Sequence, residues 1–124
     1  MTRESDKTLR EVIKGVTSIR EGSNTTLPIR SNQLKAPLFI RAYCNKCQSD
    51  TDNAIYAEGS SIYIRCLRCG EKIYAGDTII GFENLECSKC KRITTWVIYC
   101  DGSSTYVMCI GCGNRFYAGD CRLR

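Results

Sequence analysis

Cys44-Asn-Lys-Cys47, eighteen intervening residues, Cys66-Leu-Arg-Cys69-Gly70 and a closing Tyr74-Ala-Gly-Asp77 make a frame that this chain uses twice. Forty-three residues on, the frame returns as Cys87-Ser-Lys-Cys90, again eighteen residues, Cys109-Ile-Gly-Cys112-Gly113 and Tyr117-Ala-Gly-Asp120. Between the cysteine pairs, Ile55-Tyr56, Gly59-Ser60-Ser61 and Tyr63 recur without a gap as Ile98-Tyr99, Gly102-Ser103-Ser104 and Tyr106. A fixed period of this kind means one structural unit in tandem. Each unit is about forty residues, a size at which apolar burial rarely outweighs conformational entropy. Something else must staple it, and the ten cysteines are the candidate.

Two residues between cysteines let both sulfurs of a turn face one ion. Gly70 and Gly113, each following the second cysteine of a pair, supply the positive φ that such a knuckle favours. With no histidine in the chain, four sulfurs per site give a closed, tetrahedral, structural set with no open position for substrate or water. The in-register repeat predicts sequential pairing: Cys44, Cys47, Cys66 and Cys69 in site one, Cys87, Cys90, Cys109 and Cys112 in site two. Cross-brace pairing is the alternative that spacing alone leaves open. Two Zn²⁺ are the expected ions; iron, which occupies the same four-sulfur set in rubredoxins, is the alternative. Each ion contributes about 10–16 kcal/mol of apparent binding free energy near neutral pH, enough to decide whether its unit folds.

Cys100 and Cys121 fall outside the frame, since the first unit has Ala57 and Thr78 there. They are expected as small buried thiols near the ends of neighbouring strands, with a redox pair as the alternative.

No apolar signal core and no long apolar run is present, so neither a signal peptide nor a membrane span is expected. Paired Cys-x-x-Cys then predicts metal binding in a reducing, intracellular compartment; for a viral chain, that is the host cytoplasm. The formal charge of +5 falls to about +1 once eight thiolates hold two Zn²⁺. A nearly neutral protein lacks the strong basic signature of an unspecific nucleic-acid binder.

Ahead of the repeats, residues 1–22 read as an amphipathic helix. Leu9, Val12, Ile13, Val16 and Ile19 share one face, with Thr8 and Glu11 as a capping box and Gly22 as the stop. This stripe is expected to dock on its own ribbons or on a partner. Residues 23–37, polar and interrupted by Pro28 and Pro37, predict an extended arm. The expected domains are therefore 1–37 (helix and arm), 38–77 (first ribbon) and 78–124 (second ribbon). Leu38–Tyr43 is a strand candidate, followed by a hairpin of Ala54–Ala57 and Ser61–Arg65 and a third strand at Lys72–Ala75. The second copy has Trp96–Cys100, Thr105–Cys109 and Arg115–Ala118, with Ile79, Ile80, Phe82 and Leu85 in the first strand. Acid-Gly-Ser supplies both hairpin turns.

Strand, knuckle, hairpin, knuckle, strand resembles the zinc-ribbon group over roughly residues 38–120. The resemblance implies a small metal-stabilised β fold, two tandem Cys₄ ribbons, of a kind found in transcription factors, polymerase subunits, ribosomal proteins and docking modules. It singles out no family. Transcript-cleavage elongation factors carry an adjacent pair of acids on the hairpin tip; here each tip has one, Glu58 or Asp101, followed by glycine. That departure argues against a polymerase active-site role. Near-identical tandem ribbons also suit duplication in a small specialised protein, viral or phage origin included.

Three function classes follow. A structural or docking subunit of a larger assembly, with a protein partner, is the leading expectation. A nucleic-acid-associated module in transcription or translation is second. Its candidate contacts are the paired Tyr56 and Tyr63 with Arg65, and the paired Tyr99 and Tyr106, because aromatics beside cations stack bases and hold phosphates. The plainer account is that the tyrosines cover a thin sheet and the nearby cations offset the charge of the metal sites. An enzyme is the last class: histidine, an open metal site, a phosphate-binding loop and a nucleophile–base pair are all missing from the sequence, and no small-molecule substrate is expected.

Overall fold

A computed structural model describes residues 27–122, and the expected helix at Leu9, Val12, Ile13, Val16 and Ile19 lies outside them. The described chain is all-β and antiparallel, apart from one 3-10 turn at Ser31–Gln33. Its strands are β1 (Ile29–Arg30), β2 (Leu38–Cys44), β3 (Ser49–Glu58), β4 (Ser61–Cys66), β5 (Lys72–Tyr74), β6 (Thr78–Cys87), β7 (Arg92–Asp101), β8 (Ser104–Cys109) and β9 (Arg115–Asp120). They form a four-stranded sheet in the order β2-β3-β4-β5 and a five-stranded sheet in the order β1-β6-β7-β8-β9.

Each repeat is thus one sheet, and the hairpins fall in equivalent register: Tyr56 opposite Tyr63, Tyr99 opposite Tyr106. Only Gly59-Ser60 and Gly102-Ser103 separate the paired residues Glu58/Ser61 and Asp101/Ser104. Glycine with φ +64 and +65 at the first turn position is what a two-residue hairpin of II′ type needs. Residues from 27 onward are part of this body: Ile29 is buried and pairs with Ile79 at the edge of the second sheet.

Strand alternation gives each ribbon two faces, and the ribbons stack unlike face on unlike face. In the first, Leu38, Ile40, Ala42, Ile55, Ile62 and Ile64 point inward and are buried; Phe39, Tyr56, Tyr63 and Arg65 lie on the opposite, tyrosine face. In the second the parity is reversed. Phe82, Val97, Tyr99 and Met108, on the tyrosine face, are buried in the same core cluster. Their opposite-face neighbours Ile98 and Val107 are only half-buried, and Phe116 is 57% exposed. One shared core therefore lies between the isoleucine face of ribbon one and the tyrosine face of ribbon two.

The joint between ribbons is only Ala75-Gly76-Asp77. Its backbone is held across the seam, with the Asp77 N–H donating to the Cys100 carbonyl at 3.0 Å. Gly76 has φ +72, and a Cβ there would run into that same carbonyl oxygen. At the far end of the seam the Asn45 N–H donates to the Gly111 carbonyl at 2.8 Å, joining a knuckle of each ribbon.

Candidate metal centres

All four knuckles use one backbone device. The residue after each second cysteine is left-handed (Gln48 φ 55°, Gly70 φ 81°, Lys91 φ 60°, Gly113 φ 82°). Its N–H donates to the carbonyl of the first cysteine at 2.7–2.8 Å. This closes the turn and aims both sulfurs to one side. Gly70 and Gly113 announce the device in sequence; Gln48 and Lys91 do not, because they adopt the same φ without being glycine.

The structure gathers Cys44, Cys47, Cys66 and Cys69 in one cluster and Cys87, Cys90, Cys109 and Cys112 in another, with the sulfurs of each within 4.8 Å of one another. The cross-brace alternative is not what the fold builds. Neighbouring sulfurs are 3.7 Å (Cys44–Cys69) and 3.9 Å (Cys47–Cys66) apart in the first cluster. In the second they are 3.7 Å (Cys87–Cys112) and 3.8 Å (Cys90–Cys109) apart. A tetrahedron with metal–sulfur arms of about 2.3 Å has edges of about 3.8 Å, so both clusters fit a four-coordinate ion. Two Zn²⁺ are compatible with them, each bound by all four thiolates of its cluster; such an ion would supply charge neutralisation and a covalent staple.

Two threonines complete the sites. Thr51 Oγ1 lies 3.2 Å from Cys66 Sγ, and Thr94 Oγ1 lies 3.1 Å from Cys109 Sγ, all four residues being buried. Sequence reasoning missed them, although Thr51 and Thr94 hold the same place in the repeat. The first cysteine of each repeat also accepts from its own turn, Cys47 N–H to Cys44 Sγ and Cys90 N–H to Cys87 Sγ, at 3.4 Å.

These donors split the thiols. Burial pushes Cys66 up, but the Thr51 hydroxyl and the N–H groups of Cys69 and Arg68 outweigh it and bring the thiol down to about 6. Burial, followed by its sulfur neighbours, pushes Cys47 up to about 12. In the second cluster Cys87 is lowered, burial there being outweighed by the Cys90 N–H and nearby thiols, while burial pushes Cys112 up to about 11. Four crowded thiolates repel one another unless a cation sits among them. Lys46 lies beside the first cluster, its ammonium stabilised first by Glu71 at 3.2 Å and then by Cys69 and Cys44.

Cys100 and Cys121 are bonded to each other, with Cα atoms 5.6 Å apart. This corrects the expectation of two separate thiols. Both are buried, and the bond ties the residue that follows β9 to β7.

Six of the seven tyrosines form a single row. Ring centroids are 5.6–6.4 Å apart along Tyr56, Tyr63, Tyr74, Tyr99, Tyr106 and Tyr117, and Tyr74–Tyr99 crosses the seam. Tyr99 is 0% exposed and accepts from Arg115 at 2.9 Å, so it offers no face to a base. Lys72 sits over Tyr63 and Arg115 over Tyr106, at 4.3 and 4.5 Å from the ring centroids. Lys72 also pairs with Glu58, Arg92 covers Tyr43, and Arg68 donates to Ser49. Arg65 is exposed on the same face as Tyr63.

What fold and site together define is a small antiparallel β protein with two four-cysteine clusters of zinc-ribbon-like form. No family model matches the chain, and neither a curated protein nor a solved structure matches it. Among the described residues no helix is long and apolar enough to cross a membrane.

Proposed function

We propose that this chain is a non-enzymatic zinc protein whose two fused ribbons act as a rigid docking module in a larger macromolecular assembly. The observation that carries this reading is the stacking of the two ribbons through one core, with both four-sulfur sets closed upon themselves. Such a body presents fixed surfaces and leaves no coordination position for substrate. The apolar stripe Leu9, Val12, Ile13, Val16 and Ile19 is the partner-binding element, read as anchors for a groove. Ile13→Asp places a charge in that stripe and should abolish co-purification of the native partner while leaving zinc content unchanged. Retention of the partner by Ile13→Asp overturns the assignment of the stripe.

The tyrosine row favours a second reading, in which the module contacts single-stranded nucleic acid. Exposed Arg65 and the half-buried Tyr56 and Tyr63 support it. The cations stacked on Tyr63 and Tyr106 and the burial of Tyr99 weigh against it, because those ring faces are already covered. Under this reading Tyr56→Ala weakens binding of a labelled single strand by about 1–3 kcal/mol, and added salt weakens it further.

A further inference from the structure

Ribbon one ends in a hook. The Tyr74 hydroxyl donates to Asp101 Oδ1 at 2.9 Å, and Asp77 Oδ2 accepts the Gly102 N–H at 3.1 Å. Asp77 N–H binds the Cys100 carbonyl, and Gly76 leaves room for that approach. Tyr74-Ala-Gly-Asp77 thereby grips the hairpin tip Asp101-Gly102 of ribbon two, and Tyr74 extends the tyrosine row onto Tyr99 at 6.4 Å.

The sequence of the hook is repeated at Tyr117–Asp120, where the backbone completes β9: Asp120 pairs with Ser104 and its carbonyl accepts from the Thr105 hydroxyl at 3.0 Å. The side chains of the motif are left without a hairpin tip to grip among the described residues. Tyr117-Ala-Gly-Asp120 keeps every group, yet Tyr117 is 62% exposed and has Tyr106 as its ring neighbour. Neither the Tyr117 hydroxyl nor the Asp120 carboxylate has a hydrogen-bond partner among the described residues. A Cβ on Gly119 would meet nothing within 4 Å, in contrast to Gly76. At the other end of the molecule the hairpin tip Glu58-Gly59 is exposed and is the counterpart of Asp101-Gly102.

The faces match in the same sense. Among the described residues, the isoleucine-side face of ribbon two is left exposed at Leu85 and Phe116, with Ile98 and Val107 half-buried beside them and Phe116 stacked on the buried Trp96. Among the described residues, the tyrosine face of ribbon one is uncovered at the exposed Arg65 and the half-buried Tyr56. Across the internal junction, faces of these two kinds bury one another. The open faces differ from the buried ones by charges of opposite sign. Arg65 stands where Met108 stands in the core, and Glu83 stands where Ile40 does.

We propose that a second copy of this chain docks head to tail. The hook Tyr117–Asp120 and the Phe116 face of one copy would take the Glu58-Gly59 tip and the Tyr56/Arg65 face of the next. Tyr117 then meets Tyr56 as Tyr74 meets Tyr99, and the tyrosine row runs on from copy to copy. Two contacts are not carried over unchanged: Arg68 replaces Gly111 at the knuckle end of the seam, and Glu58, which replaces Asp101, is paired with Lys72 at 3.4 Å. The junction therefore rests on the hook and the sheet faces. An interface of unlike faces propagates, to a ring if its rotation closes and to a filament if it does not. This goes beyond the docking role above, which concerns a foreign partner held through residues 9–19.

Sedimentation velocity of the zinc-loaded full chain over a hundredfold concentration range tests it. The wild type should show mass rising with concentration beyond a dimer. Phe116→Asp and Arg65→Glu should each be monomeric with two zinc ions retained, and mixing them should restore a 1:1 dimer that grows no further. That dimer forms because each variant still carries the one face the other has lost. A wild type that stays monomeric overturns the proposal, and so does a dimer indifferent to Arg65→Glu, which would mean like face on like face. Tyr117→Phe gives a milder control that keeps the ring and removes the hydroxyl, and it should weaken association. Ile13→Asp should leave association unchanged, which separates this proposal from the partner-binding one.

Discussion

Thr51 Oγ1 lies 3.2 Å from Cys66 Sγ inside the first four-cysteine cluster, and Thr94 repeats the contact on Cys109 at 3.1 Å. A hydroxyl donating to a metal-bound thiolate offsets part of the sulfur charge and fixes its direction. Thr51→Val keeps the shape and removes the donor. Zinc affinity at site one should fall about 10–100-fold in chelator competition. Thr94→Val should do the same at site two only, and equal loss at both sites from one substitution would contradict the assignment.

A second prediction follows from the shared core. Cys66→Ser should remove one of two zinc equivalents, measured by elemental analysis. Because Ile55, Ile62 and Ile64 of ribbon one pack in one cluster with Val97, Tyr99 and Met108 of ribbon two, the damage should spread. Thermal unfolding followed by circular dichroism should show the whole sheet signal lost at lower temperature in one transition. Two separate transitions would mean that the ribbons fold independently.

How much of this was legible beforehand depends on which physical term decided each feature. The sulfur clusters and the hairpin register were readable, since Cys-x-x-Cys spacing and acid-Gly-Ser turns are local constraints that tertiary packing has little freedom to override. Stacking of unlike faces was not. A repeat by itself points to like environments, yet Tyr56 is half-buried and Tyr99 fully buried. The signal lay in the differences between copies. Val97 is larger than its counterpart Ala54, and Met108 is apolar where its counterpart is the charged Arg65, as a buried face requires. Gln48 and Lys91 stayed hidden for another reason: positive φ at a non-glycine leaves no compositional mark.

The disulfide gives a third prediction. Cys100 and Cys121 enclose a loop of 21 residues in sequence separation, and closing such a loop stabilises by about 3 kcal/mol in the chain-entropy account. Cys121→Ser should lower urea stability by about that amount, as should a non-chelating phosphine reductant on the wild type. Zinc stoichiometry should stay at two in both cases. Release of an ion by Cys121→Ser would mean that this cysteine serves as a ligand.

The last prediction sets two glycines of the same motif against each other. Gly76 and Gly119 both have positive φ, +72 and +101, so alanine at either position incurs the left-handed penalty of about 1–2 kcal/mol. Only Gly76 has the Cys100 carbonyl against it, at the one junction where ribbon meets ribbon within the chain. Gly76→Ala must also push the ribbons apart, breaking the Asp77 to Cys100 and Tyr74 to Asp101 bonds and opening the core beneath Tyr99. Its total cost should exceed 4 kcal/mol, in the range reserved for core disruption. Gly119→Ala should stay near 1–2 kcal/mol in dilute monomeric protein, where nothing approaches the site. Urea titrations of both variants at low concentration provide the comparison. Equal losses would show that backbone conformation alone sets the need for glycine in Tyr-Ala-Gly-Asp, and that the close approach at the seam contributes nothing to it.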